Sequence, residues 1–312
     1  MIDLSLFFIL LLKITPLYIN IILGYLSVKF LNVKKESIAT LVIYIITPLV
    51  VFSSTISVQI DTKLALLPFM IYIFCSFTAI VVYRLFRNHW ADATSNILAF
   101  NAGTGNAGYF GIPLALLFFD NHVVNVFIFA QLAFIFYGNT TGFYITAKGN
   151  FTVRQSLKKV LRLPVIYAFI FGLACNFYGL SIPDELIVYT SQFKAVYGIL
   201  GIMILGMGLV GLRQSGELDK KFVLLNFFFK FVYWPVCALI FIYLDKNLLY
   251  IFNDENIYKI IFLFSIVPVA NNGVTLAIIN GLKPEKAIVT VLLSTIFSLV
   301  YIPCMIVLYG GF

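Results

Sequence analysis

Ten apolar stretches follow one another along this chain with almost nothing between them, and that succession restricts it to folding in a bilayer. They are Leu4–Val28, Ile38–Thr55, Leu64–Tyr83, Asn96–Phe119, Asn125–Thr146, Pro164–Tyr178, Gln192–Val210, Phe222–Leu244, Ile257–Ile279 and Ala287–Tyr309. A helix needs about 20 residues to cross a hydrocarbon core of roughly 30 Å, and each stretch is that long or nearly so. None alternates strictly between apolar and polar, so a membrane barrel is not expected. Composition agrees: 62% of residues are hydrophobic and 11% charged, against ~45–50% and ~25% in soluble domains. So much apolar surface cannot be hidden from water in one fold, which excludes a soluble enzyme, a nucleic-acid binder and a disordered chain. The first stretch has Asp3 before it, Lys13 inside it and no small-residue cleavage site, so it reads as a retained span rather than a signal peptide.

The basic residues orient the spans. Connections 1–2, 3–4, 5–6, 7–8 and 9–10 hold 15 of the 21 Lys and Arg residues. The opposite side holds four, namely Lys63, Lys194, Lys246 and Lys259, while Lys13 and Lys230 lie within spans. Cytoplasmic loops carry the Lys/Arg excess. The odd connections are therefore expected in the cytoplasm and both termini outside, in a cell (inner) membrane. The longest and most basic connection, 147–163, divides the chain into halves 1–146 and 164–312 with five spans each. An odd number of spans makes a duplicated half insert upside down, so an inverted 5+5 repeat is expected.

Chemistry-bearing residues are sparse. Cys75, Cys175, Cys237 and Cys304 sit in apolar spans without CxxC spacing, and His89 and His122 are far apart in loops. No metal site, cofactor site or catalytic set is expected. All 13 acids fall in loops or at span edges. Cation-coupled carriers commonly keep a carboxylate at membrane depth. Transport here is expected either to lack cation coupling or to hold the cation with neutral oxygens. Lys13 and Lys230 can snorkel to the interface; the functional alternative, better suited to Lys230, is an electropositive element near an anion path.

Two spans are interrupted near their middles. Span 4 carries Asn101, Gly103, Gly105, Asn106, Gly108, Gly111 and Pro113, and span 9 carries Pro268, Asn271, Asn272 and Gly273. Gly costs ~1 kcal/mol and Pro ~3 kcal/mol relative to Ala inside a helix, so both helices should unwind and restart. Broken helices at matching places in two halves point to a binding site, with half-helix N-termini aimed at an anion. Side-chain amides of Asn106, Asn271 and Asn272 can donate to a carboxylate. Gln131 and Asn139 are eight residues apart, just over two turns, and share a face of span 5. Ser294, Thr295 and Ser298 are further polar residues in span 10, equally suited to bonding the backbone.

These motifs resemble the auxin efflux carrier family, which includes the plant PIN-FORMED proteins and bacterial malate and malonate permeases. The resemblance rests on Asn106-x4-Gly111-Ile112-Pro113, on Pro268 with the polar break and Ala277, on Ser294-Thr295-x2-Ser298-x4-Pro303, and on Gln131 in span 5. It implies a homodimer with an elevator mechanism. Spans 1, 2, 6 and 7 would be the scaffold, and spans 3–5 and 8–10 the moving part. It also implies organic-anion substrates. Gly273 stands where the plant pattern has a second proline, and the long hydrophilic loop of many plant carriers is missing. The leading expectation is a permease for small organic anions, such as the dicarboxylate malate. Its site would comprise Asn101, Asn106, Gly108, Gly111, Pro113, Gln131, Pro268, Asn271, Asn272 and Gly273, with Lys230, Asn139 and Ser294 in support. The rivals are a sodium-coupled symporter of the bile-acid carrier type and, more distantly, a membrane-embedded sensor.

Overall fold

A computed structural model describes residues 4–147, 161–210, 219–280 and 282–312. Most of the 147–163 connection, including Lys148, Arg154, Lys158 and Lys159, lies outside the described residues, as do Asp3, Arg213 and Glu217. All regular structure among the described residues is helical. The helices are α1 (Leu4–Leu31), α2 (Lys35–Ser57), α3 (Thr62–Phe86), α4 (Thr94–Ala102), α5 (107–118), α6 (Asn121–Thr146), α7 (Pro164–Phe177), α8 (Asp184–Met207), α9 (Lys220–Leu249), α10 (Glu255–Ile266), α11 (Asn272–Ile279) and α12 (Pro284–Tyr309). Seven of them are long and apolar enough to cross a membrane. Helix α7, at 14 residues, reaches only about 21 Å at 1.5 Å per residue. The other four are two broken pairs, α4–α5 and α10–α11, in the stretches read as spans 4 and 9.

Proline shapes three of the helices in one way. A π turn occupies Val42–Ile46, Ala107–Gly111 and Phe229–Tyr233, and each is followed within two residues by Pro48, Pro113 or Pro235. Proline has no N–H for the carbonyl four residues back, and its ring crowds that carbonyl. Widening the preceding turn by one residue relieves the crowding. The carbonyl freed by Pro235 is that of Phe231, and the Tyr301 hydroxyl donates to it at 2.6 Å.

Helix α1 lies along α8, α2 along α7, and α8 also touches α2. The α1–α8 crossing is closed by glycine on both sides: Gly24 faces the Met203 carbonyl and Gly206 faces the Ile21 carbonyl, with no space for a side-chain carbon at either. Small residues let helix backbones approach closely in a membrane. At one end of the bundle, three odd connections meet. Lys286 donates to Asp219 (2.9 Å) and Thr94 (2.9 Å) and pairs with Asp92 at 3.8 Å, and Trp90 also donates to Asp219 (3.0 Å).

Two expectations about charge need correction. Lys194, counted with the outer side at the edge of the Gln192–Val210 span, lies well inside a helix. Helix α8 starts at Asp184, eight residues earlier than hydropathy suggested, and Lys194 is buried inside it, donating to Asn125 Oδ1 at 2.6 Å. Lys230 does not snorkel: it is 1% exposed. Lys13 does stay on the exposed surface, 5.0 Å over the Phe118 ring. Asp245 sits at a span edge as expected, yet it is fully buried. It accepts from Tyr258 Oη (2.7 Å) and from the Ile251, Phe252 and Asn253 N–H groups, fastening the α9–α10 turn.

Candidate functional site

The first break runs from Gly103 to Asn106, between α4 and α5; the second runs from Val267 to Asn271, between α10 and α11. The breaks touch. The Asn106 N–H donates to the Pro268 carbonyl at 2.9 Å, a main-chain bond between them. Unwound backbone at membrane depth must be satisfied by protein or line a cavity, and both answers are present. On the buried side, side chains reach in for the freed backbone groups. Tyr137 Oη donates to Phe100 O (2.9 Å), Trp234 Nε1 to Ala102 O (2.8 Å) and Lys230 Nζ to Phe264 O (3.1 Å). Ser294 Oγ accepts from the Val269 N–H at 3.2 Å.

The other side of the breaks lines a cavity of about 340 Å³, within the usual range for small-ligand sites. Thr104, Gly105, Asn106, Gly108 and Tyr109 form one wall, and Ala270, Asn271, Asn272 and Thr275 another. Gln131, Gly138 and Asn139 of α6, Tyr197 of α8, and Tyr44 and Thr47 of α2 complete it. Among the described residues, no Asp, Glu, Lys or Arg lines it. The cavity reaches Leu163 and Val165 at the start of α7.

Of the residues expected from sequence, Asn106, Gly108, Gln131, Asn139, Asn271 and Asn272 meet at this cavity. The spacing argument for Gln131 and Asn139 holds, since both face it. The rest lie behind it. Asn101 is buried, with neither amide atom bonded, and its Oδ1 lies against Gly273. Gly111 leaves room for the Phe127 ring, and Pro113 is buried in α5. Pro268 supplies the carbonyl at the crossing, and Ser294 braces it. Lys230 lies behind Gly105, where a side-chain carbon would sit 2.5 Å from Nζ.

Sequence reasoning missed the tyrosines. Tyr109 and Tyr197 stand with ring centroids 6.0 Å apart at the cavity wall, and the Tyr197 hydroxyl lies over Gly108. In a chain with 18 tyrosines, only the position of Tyr109 beside Gly108 marked either of them out.

The donors are unevenly distributed. Asn106 is 4% exposed, and its Nδ2 has no hydrogen-bond partner. A buried unpaired donor costs ~1–3 kcal/mol, and this one is enclosed by protein; the amides with surface open at the cavity are those of Asn271 and Asn272. Helices α5 and α11 both begin at the cavity, and helix N-termini carry about half a positive charge each.

The chain matches no protein-family profile. Over 205 residues it is 27% identical to an uncharacterized transporter of Methanocaldococcus jannaschii, a match that covers 61% of this chain. The match spans 66% of that relative, just under two thirds of its length.

Proposed function

We propose that the chain is a secondary transporter for small organic anions that binds its substrate in the cavity between the two helix breaks. The observation that carries this reading is the set of amides lining the cavity, Asn271 and Asn272 with Asn106 and Gln131, where two helix N-termini converge and no Asp or Glu is among the described lining residues. Amide donors and helix dipoles select an acceptor-rich, negatively charged ligand, and a cavity of this size holds a small carboxylate. The likeness to a protein named as a transporter supports the same class, as does the resemblance to auxin efflux carriers. A sensor module needs an output surface, and nothing among the described residues suggests one.

Counting each broken pair as one span and α7 as another gives ten spans and a 5+5 inverted repeat. The pairing of α1 with α8 and of α7 with α2 supports this, because an inverted repeat exchanges those two contacts. The glycine-locked α1–α8 pair, with α2 and α7, is the static scaffold, which by the family pattern dimerises. The helices bearing the breaks are the moving elevator. With the basic connections in the cytoplasm, a cavity reaching the start of α7 is an inward-facing site.

The test is counterflow of labelled malate and other small carboxylates by the purified chain in proteoliposomes. Asn106→Ala and Asn272→Ala should each cut the rate by about tenfold or more, the worth of roughly one charge-assisted hydrogen bond, without changing the melting midpoint. Unchanged uptake and affinity in both variants would place the site elsewhere.

A further inference from the structure

Lys230 is among the largest fully buried side chains of the molecule, and no carboxylate pairs with it among the described residues. A buried ammonium costs several kcal/mol unless its surroundings compensate. Its surroundings here are the carbonyl ends of two half-helices. Nζ donates to the Phe264 carbonyl at 3.1 Å. That carbonyl lies four residues before Pro268, which has no N–H to offer it. Nζ also sits 4.3 Å over the Trp234 ring, within cation–π range. Trp234 lies one turn further along α9 and donates to the carbonyl of Ala102, the last residue of α4. Gly105 leaves the space that Nζ fills. Lys230 and Trp234 are four residues apart in α9, so their side chains share one side of it.

The charges balance in outline. Each helix C-terminus carries about half a negative charge, so the ends of α4 and α10 together present roughly one. One ammonium lies between them. Neutralising these ends leaves the positive N-termini of α5 and α11 unopposed at the cavity, beside the Asn271 and Asn272 side chains that line it.

We propose that Lys230 is a resident cation at the helix crossing: it occupies the carbonyl-rich place where a co-transported cation would bind, and so makes anion binding independent of sodium. This rests on the transporter reading, and it goes further by naming the coupling. A second cation at the crossing would meet the ammonium and be repelled, while an anion in the cavity is held by a charge the protein carries permanently.

The test has two arms. In the first, the wild-type chain is melted in sodium, potassium and choline chloride at equal ionic strength, and malate counterflow is measured in sodium and in potassium. The midpoints should coincide and the rates should be equal. Selective stabilisation by sodium, or counterflow that requires it, would overturn the proposal. In the second, Lys230→Met removes the charge and keeps the length. Its midpoint in choline should fall, sodium should restore part of the loss, and protection by malate should weaken by about tenfold, or ~1.4 kcal/mol. A variant as stable as wild type in choline, with undiminished malate protection, would also overturn it. If Lys230→Met does not fold, the wild-type arm decides alone. Failure of every labelled carboxylate to exchange in any salt would sink the transport reading, while the melting series would still judge the resident cation.

Discussion

Two helix crossings in this molecule are built with glycine, and they use it in opposite ways. At the α1–α8 crossing, Gly24 and Gly206 each meet a main-chain carbonyl of the other helix, so backbone lies directly on backbone. At the crossing of the breaks, the glycines make room for the ends of side chains. Lys230 reaches past Gly105 and the Asn101 amide lies against Gly273, while Gly103 meets both the Tyr137 hydroxyl and the Cys75 carbonyl, the one point at this crossing where glycine faces main chain of another helix. The first crossing is closed; the second is polar, and one side of it is hollow. What an added methyl meets therefore matters more than the loss of glycine. A backbone carbonyl cannot yield without moving a whole helix, whereas the end of a lysine can swing aside.

The largest effect should come from the closed crossing. Gly206→Val places branched carbon on the Ile21 carbonyl and should cost about 3 kcal/mol or more, the upper part of the overpacking range. Loss of monodisperse folded protein on size exclusion, or a steep fall in melting midpoint, is the expected reading. A variant that melts like wild type would show that the crossing is not locked. Gly105→Ala, at the open crossing, should leave the fold intact. Its methyl displaces Nζ of Lys230, and protection by malate should weaken by about tenfold. If Gly105→Ala instead destabilised the fold as much as Gly206→Val, the contrast between the crossings would collapse.

The open crossing was partly legible in the sequence. Proline, glycine and asparagine in an apolar span have few uses other than to break it, so both breaks could be read directly, and so could the shared face of Gln131 and Asn139. The direction of Lys230 could not. Depth along a span says nothing about rotation around it, and a π turn adds a residue, which shifts the helical phase by about 100°. That turn follows from Pro235, but a proline near a helix middle also kinks without widening. Lys194 was misplaced because the first turns of α8 are polar enough to pass for loop. The Asn125 amide that receives its ammonium lies 69 positions away in the chain, beyond the reach of any local pattern.

That Lys194–Asn125 bond sharpens the comparison next, because it joins α8, on the closed side, to α6, on the open side. If the breaks move relative to α8, this bond must part in each cycle. A charge-assisted bond is worth ~1.5–3 kcal/mol. Lys194→Met should therefore relax the observed arrangement, raising deuterium uptake at the start of α6 and changing the counterflow rate several-fold, without the collapse expected of Gly206→Val. Unaltered exchange and unaltered rate would mean that the two sides do not separate there.

The smallest effect belongs to the end of the bundle where Asp219 gathers Lys286, Trp90 and the Phe222 N–H. Burial works to raise the Asp219 carboxyl, but the hydrogen bond from Lys286, those from Phe222 and Trp90, and the Lys286 charge outweigh it and hold the group below the usual carboxylate range. A carboxyl lowered in the folded state adds stability above its unfolded value and loses it as pH falls through the folded one. Asp219→Asn should thus lower the melting midpoint at neutral pH, by the equivalent of about 1 kcal/mol or less for a pair near the surface. The gap from wild type should close in acid. These contacts join the starts of α4, α9 and α12, all on the side of the breaks, so their loss should leave the α1–α8 lock untouched. A pH-independent deficit in Asp219→Asn would show that the carboxylate charge is not what holds this end together, since Asn caps a helix as well as Asp.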